Sequence, residues 1–109
     1  MVETISLEEL EEKLKNDEDF VFIDVLGEDS YQDEHIPGSI NIPLDQLAHE
    51  VLDRFDKDEE MVVYCGSESC GASPKAAEKL EKLGFEDVKD FEIGLKGWKE
   101  AGNEVESGA

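Results

Sequence analysis

The sequence predicts an α/β fold: a single domain in which a parallel sheet is flanked by helices on both faces, a three-layer α/β/α arrangement. Three observations carry that expectation. Residues 20–25 and 61–64 are short, continuous apolar runs, as suits strands buried on both faces rather than on one. Segments with helical spacing of apolar residues alternate with them, the pattern of a parallel sheet with crossover helices. The chain has 109 residues, a length that fits one domain.

The elements follow in order. Ser6-Leu7-Glu8-Glu9 reads as a capping box, with Ser6 as N-cap and Glu9 reaching back to it. Leu7, Leu10 and Leu14 then mark one face of a first helix that ends near Asn16. The first buried strand follows, and residues 28–35 form a polar, helical connection. Ile36-Pro37-Gly38 is a turn, and residues 40–42 a brief strand stopped by Pro43. Leu44, Leu47, Val51, Leu52 and Phe55 keep helical spacing and give a second amphipathic helix. The strand at 61–64 runs directly into Cys65. Ser73-Pro74 marks the next helix start, with Ser73 as N-cap and Pro74 at the first helical position. Ala76, Ala77, Leu80 and Leu83 form the apolar face of that helix, and Gly84 ends it. Residues 85–91 supply a last strand and 94–101 a final helix carrying Trp98. The domain is expected to span 1–104, with 105–109 as a C-terminal tail.

Charge narrows the function classes. Ten Lys and Arg stand against 30 Asp and Glu, a formal net charge of −20. Phosphate backbones and anionic membranes repel such a surface, which disfavours nucleic-acid and lipid roles. Solubility or a high-salt setting explains the acid better than an acidic-partner role does, and its spread over every segment argues against a disordered tail. No apolar run approaches the roughly 20 residues of a membrane span. The start, Met1-Val2-Glu3-Thr4, lacks the basic and apolar stretches of a signal peptide, so the cytoplasm is the expected compartment. There, two cysteines are expected to be reactive or free rather than bridged.

Cys65 is the residue where chemistry concentrates. In open parallel sheets, ligands bind beyond the carboxyl ends of the strands, and Cys65 sits at such an end. The segment Gly66-Ser67-Glu68-Ser69-Cys70-Gly71-Ala72-Ser73 is made of small residues and leads into a helix. Backbone N–H groups in such a loop can converge on an anion, and a helix N-terminus lowers a cysteine's pKa. Spacing alone leaves two readings open: a nucleophilic thiol, or a small core residue closing a strand.

A resemblance bears on that choice. Phe22-Ile23-Asp24-Val25, then His35-Ile36-Pro37-Gly38-Ser39-Ile40-Asn41-Ile42-Pro43, resemble the opening half of a rhodanese domain. Val62-Val63-Tyr64-Cys65, the helix at 75–84, and Gly94-Leu95-Lys96-Gly97-Trp98 followed by Glu100-Ala101-Gly102 resemble its second half, in the same order. The resemblance covers nearly the whole chain. It implies a sulfurtransferase in which Cys65 attacks a sulfane sulfur, becomes a persulfide, and passes the outer sulfur to cyanide, a thiol or another nucleophilic acceptor. The partners implied are a sulfane-sulfur donor and a thiol or small-nucleophile acceptor, or a partner protein in either role, with no cofactor.

Departures from the family pattern sharpen the expectation. Ser73 aligns with the serine that closes the family's loop, but two extra residues separate it from Cys65. Ala72 takes the place of the loop arginine, and Leu26 that of an arginine often found after Asp-Val. No guanidinium is therefore available to clamp an anionic donor, and Glu68 adds negative charge, so thiosulfate is disfavoured as donor. Lys75 is the nearest replacement cation in sequence, though an ordinary surface lysine is the simpler reading. Cys70 stands five positions from Cys65 and is a candidate resolving thiol, so a thiol redox protein using Cys65 and Cys70 is one alternative. A catalytically silent, partner-binding module is another. Zinc is disfavoured because Cys-x4-Cys lacks a second pair at ligand spacing. A phosphatase would need an arginine in the loop, and the chain's only arginine is Arg54. His35 reads as a turn-stabilising residue, His49 as exposed, Asp24 as architectural with a hydrogen bond to the loop backbone, and Trp98 as core.

Overall fold

Parallel pairing runs through the sheet, in the order β1-β5-β4-β2-β3. The structure is a computed structural model that describes residues 3–67 and 70–108. The elements are β1 (Glu3–Thr4), α1 (Leu7–Lys15), β2 (Val21–Asp24), α2 (Glu28–Asp33), β3 (Ile40–Asn41), a 3-10 turn (Leu44–Gln46) leading into α3 (Leu47–Arg54), β4 (Glu60–Tyr64), α4 (Ala72–Lys82), β5 (Asp87–Phe91) and α5 (Gly94–Glu100). Only the two-residue edge strand β1 lacks a counterpart in the sequence reading.

β4 lies at the centre, between β2 and β5, and its residues Met61 to Tyr64 are fully buried. Successive side chains point to opposite faces of a strand. Met61, Val63 and Cys65 accordingly join the core under α3 and α4, with Ile23, Leu47, Val51, Ala76, Ala77 and Leu80. Val62 and Tyr64 join the second core on the other face, with Leu10, Phe22, Ile36, Phe91 and Trp98. Each fully buried Leu, Ile or Val in these layers contributes about 1.5–3 kcal/mol relative to exposure.

Two helix starts obey different rules. Ser6 caps α1 as read from sequence: its hydroxyl accepts the Glu9 N–H at 3.1 Å, and the Glu9 carboxylate accepts the Ser6 N–H at 3.2 Å. α4 departs from the expectation. It begins at Ala72 with Gly71 at the cap, so Ser73 and Pro74 lie inside its first turn. The Ser73 side chain is buried and engaged with Cys65, which leaves it no role as a cap.

The chain leaves β2 for β3 on one side of the sheet and leaves β4 for β5 on the other. The strand order therefore reverses between β2 and β4, and the carboxyl ends there open a crevice. Cys65 follows the last residue of β4 at this point.

After α5 the backbone returns to the sheet's helical layer. Trp98 Nε1–H donates to the Glu104 carbonyl at 2.8 Å, Val105 packs against the core beneath α1 and α5, and Glu106 forms an antiparallel bridge with His35. Among the described residues no helix is long and apolar enough to cross a membrane.

Candidate functional site

Cys65 is wholly buried, and its Sγ contacts the Cys70 carbonyl at 3.4 Å, the Ser73 hydroxyl at 3.5 Å and the Ser67 carbonyl at 3.7 Å. Carbonyl oxygens favour the thiol over the thiolate. Burial pushes the Cys65 thiol up, a hydrogen bond to the Cys70 side chain adds to the rise, and the Ser73 hydroxyl and backbone N–H pull against both. The expected lowering of Cys65 by the helix N-terminus is thus outweighed.

The neighbouring thiol moves the other way. Burial also raises Cys70, but the Cys65 thiol and the backbone N–H groups of Ala72 and Gly66 donate to it and bring it below its ordinary value. The dipoles of the loop serve Cys70 more than Cys65. Both are free thiols, and each shifts the other's pKa. Glu68 and Ser69 lie outside the described residues.

The loop is anchored from α5. The N–H of Leu95 donates to the Cys65 carbonyl at 2.9 Å and that of Lys96 to the Gly66 carbonyl at 2.8 Å. Gly94 makes this approach possible. Its φ is +63°, and a Cβ there would collide with the Cys65 carbonyl oxygen and lie 3.0 Å from the Ser67 nitrogen.

A cavity of about 310 Å3 adjoins the loop, lined by Gly66, Leu95, Lys96, Lys99 and Glu100. The sequence reading did not place these lysines at the site, because nothing in the chain order shows that α5 docks beside Cys65. Lys75, the cation nearest in sequence, lies on the exposed side of α4. Arg54 pairs with Glu50 on α3 at 3.6 Å, away from the loop.

Asp24 does not reach the Cys65 loop. Its Oδ1 accepts the Leu26 N–H at 2.8 Å, within its own connection, while Oδ2 is buried without a partner. Burial raises its pKa, with the Leu26 N–H, Tyr64 and His35 opposing. Tyr64 accepts the Ile36 N–H at 3.0 Å and meets the Ser39 hydroxyl at 2.9 Å, tying β4 to the turn after α2. His35 stacks on Tyr31 with ring centres 3.9 Å apart, and its Nδ1 lies 2.8 Å from the Tyr31 carbonyl oxygen, so it holds that turn. His49 is exposed on α3.

Asp90 was missed. It is 3% exposed on β5, its Oδ1 has no partner, and burial raises its carboxyl, with the Ser73 side chain opposing. The signal was available: Asp90 shares the parity of Val88, a core position, and so points inward. Among the described residues no cluster of three or more His, Cys, Asp or Glu is arranged to hold a metal ion.

Comparison with known proteins agrees with this geometry. The family model described as Rhodanese-like domain matches residues 6–101. The chain is 37% identical over 93 residues to the thiosulfate sulfurtransferase GlpE of Pseudoalteromonas translucida, covering 84% of this chain and 85% of that protein. It is 32% identical over 94 residues to the putative sulfur carrier protein YrkF of Bacillus subtilis, covering 86% of this chain. A crystal structure of a protein from Bacillus halodurans superposes with a TM-score of 0.89 at 29% identity, covering 96% of this chain and 77% of that one. The chain spans 38% and 49% of the lengths of two of its curated relatives.

Proposed function

Because this chain belongs to the rhodanese-like family, we propose that it is a sulfurtransferase or sulfur carrier whose Cys65 holds the transferred sulfur as a persulfide. One observation supports this above the others. Cys65 stands at the carboxyl end of the central strand, where the strand order reverses, with its sulfur against the Ser73 hydroxyl and the Cys70 carbonyl.

The chemistry runs in two displacements. The Cys65 thiolate attacks the outer sulfur of a persulfide donor, forming a new S–S bond as the donor's own S–S bond breaks and its thiolate leaves. An acceptor thiolate then attacks the outer sulfur on Cys65, which departs as a thiolate again. Two steps through a covalent intermediate predict ping-pong kinetics. Without a guanidinium in the loop, a dianionic donor such as thiosulfate has no bidentate clamp. A persulfidic donor needs no such clamp, and the cavity of about 310 Å3 beside Gly66 gives it room.

Cys70, whose carbonyl meets the Cys65 sulfur at 3.4 Å, favours a second role within the same site. Cys70 can attack the inner sulfur of a Cys65 persulfide, closing a Cys65–Cys70 disulfide and releasing hydrosulfide. Intact mass measurement after exposure to a low-molecular-weight persulfide tests both readings. Wild type gains one sulfur, Cys65→Ser gains none, and Cys70→Ser retains the sulfur longer than wild type. A sulfur that persists in Cys65→Ser, or none on wild type, removes Cys65 from the centre of the reaction.

A further inference from the structure

Asp90 presents a buried carboxylate oxygen that nothing in the fold satisfies. The residue is 3% exposed, and its Oδ1 has no hydrogen-bond partner. Native folds leave few polar atoms in that state, least of all ionisable ones. Asp90 also lines an open cleft of about 640 Å3 between α4 and the edge strand β1, whose Thr4 is its register partner. Glu78 and Glu81 of α4 and Glu92, just past β5, stand around this cleft with Lys82. All of the other lining residues are exposed or half-buried, so Asp90 forms the floor. Glu92 follows Phe91 as Cys65 follows Tyr64, and those two strand residues pair in register. The cleft therefore opens at the carboxyl end of the sheet, the end that carries the Cys65 loop.

Four carboxyl groups against one ammonium in a concave site focus a negative field, and the chemistry that fits it is a cation. Among the described residues no three acidic groups are arranged to hold a metal ion, which leaves an organic cation that reaches them through N–H groups. The buried floor selects among these. A guanidinium gives up water more readily than an ammonium, and its planar fork pairs with a carboxylate through two N–H bonds. The molecule contains a contrasting cleft on α3, of about 600 Å3, lined by Asp45, Glu50 and Asp53. There the chain's only arginine, Arg54, pairs with Glu50 at 3.6 Å, and no lining residue is buried. The Asp90 cleft has the buried acceptor and no arginine of its own.

We infer that the Asp90 cleft receives an arginine side chain from a partner protein, with the guanidinium seated on Asp90 and drawn in by Glu78 and Glu92 at the rim. The cleft is open and wider than a guanidinium, which leaves space for the chain that carries it. Burial raises the Asp90 carboxyl, with the Ser73 side chain opposing and Glu92 adding to the rise. A bound guanidinium supplies the positive charge that such a carboxylate lacks. A partner anchored here stands at the same end of the sheet as the Cys65 loop, but sulfur transfer is not a premise of the inference.

The test is a titration followed by NMR at about 0.15 M KCl, where screening weakens diffuse attraction to the acidic surface. The probe is the tripeptide acetyl-Gly-Arg-Gly-amide, set against its lysine and citrulline counterparts. The arginine peptide should give saturable shifts at the Asp90 side-chain carboxyl carbon and at the Asp90 and Glu92 amides. The lysine peptide should bind about tenfold more weakly, and the uncharged citrulline peptide should leave these signals unmoved. Asp90→Asn should weaken arginine binding about tenfold and Glu92→Gln about two- to fivefold, while Asp53→Asn in the α3 cleft changes nothing. Should Asp90→Asn not fold, the Asp90 carbon in wild type and the exposed Glu92→Gln variant decide the matter. Shifts spread evenly over the acidic surface, or an Asp53→Asn effect equal to that of Asp90→Asn, overturn the site. Equal binding of the lysine peptide overturns the guanidinium, and saturation of the Asp90 signal by Mg2+ or Ca2+ without any response to the arginine peptide assigns the cleft to a metal instead.

Discussion

Cys65 sits in a pocket that favours its protonated form, and a nucleophile held that way reacts only when its surroundings change with it. Carbonyls from Ser67 and Cys70 face the sulfur, while the N–H groups of Gly66 and Ala72 serve Cys70. The same residues make the loop sensitive to its anchor. Gly94 has a positive φ and meets the Cys65 carbonyl at closer range than any side chain allows. Gly94→Ala is therefore expected to push α5 off the loop, breaking the Leu95 and Lys96 hydrogen bonds. The loss should be about 1–3 kcal/mol, read by urea unfolding, together with faster alkylation of Cys65 as water enters. A Gly94→Ala protein with unchanged stability and unchanged Cys65 reactivity would show that the anchor does not hold the site closed.

At the scale of elements, the starts of the two capped helices show how local rules win or lose. α1 carries few buried residues, Leu10 foremost, so its reciprocal cap is a large share of what holds it. Ser6→Ala should cost about 1 kcal/mol and lower Tm by roughly 4–8 °C for a domain of this size. A scanning calorimetry trace that overlays wild type would show that α1 is held by packing alone. At α4, the pair Ser73-Pro74 has the sequence pattern of a cap and a first helical residue. The helix nevertheless starts earlier, because the site recruits the Ser73 hydroxyl for Cys65. The capping pattern of Ser6 was legible because its partners lie within three residues. That of Ser73 misled because its partner, Cys65, lies eight positions away.

For the whole molecule, charge is the dominant collective feature. With a net charge of −20, the folded state works against its own repulsion. Some carboxylates are neutralised locally: Glu60 is held below its usual range, despite burial, by Lys13 and Lys89, and Lys89 also pairs with Asp87 at 2.9 Å. Most acidic residues have no such partner to draw on, since ten basic residues face 30 acidic ones. Screening should therefore stabilise the protein. Between about 0.1 M and 1 M salt the Debye length falls from roughly 10 Å to 3 Å. Thermal melts across that range in KCl should show Tm rising by several degrees, and a falling Tm would mean that the few ion pairs outweigh the repulsion.

The sequence by itself determined the α/β alternation, the helix cap at Ser6, the placement of Cys65 at a strand end and the membership of the rhodanese-like family. Each of these is written in neighbouring residues or in the order of short motifs. Tertiary structure alone decided which groups meet the sulfur. Lys96 and Lys99 flank the loop because α5 docks beside it, and Asp90 is buried on the same face as Val63 because β5 pairs in register with β4. It also decided that the pKa of Cys65, at the end of β4, is raised while that of Cys70 is lowered. The reason is physical: a proton's position depends on burial and on donors within a few ångströms, and the fold draws those from distant parts of the chain.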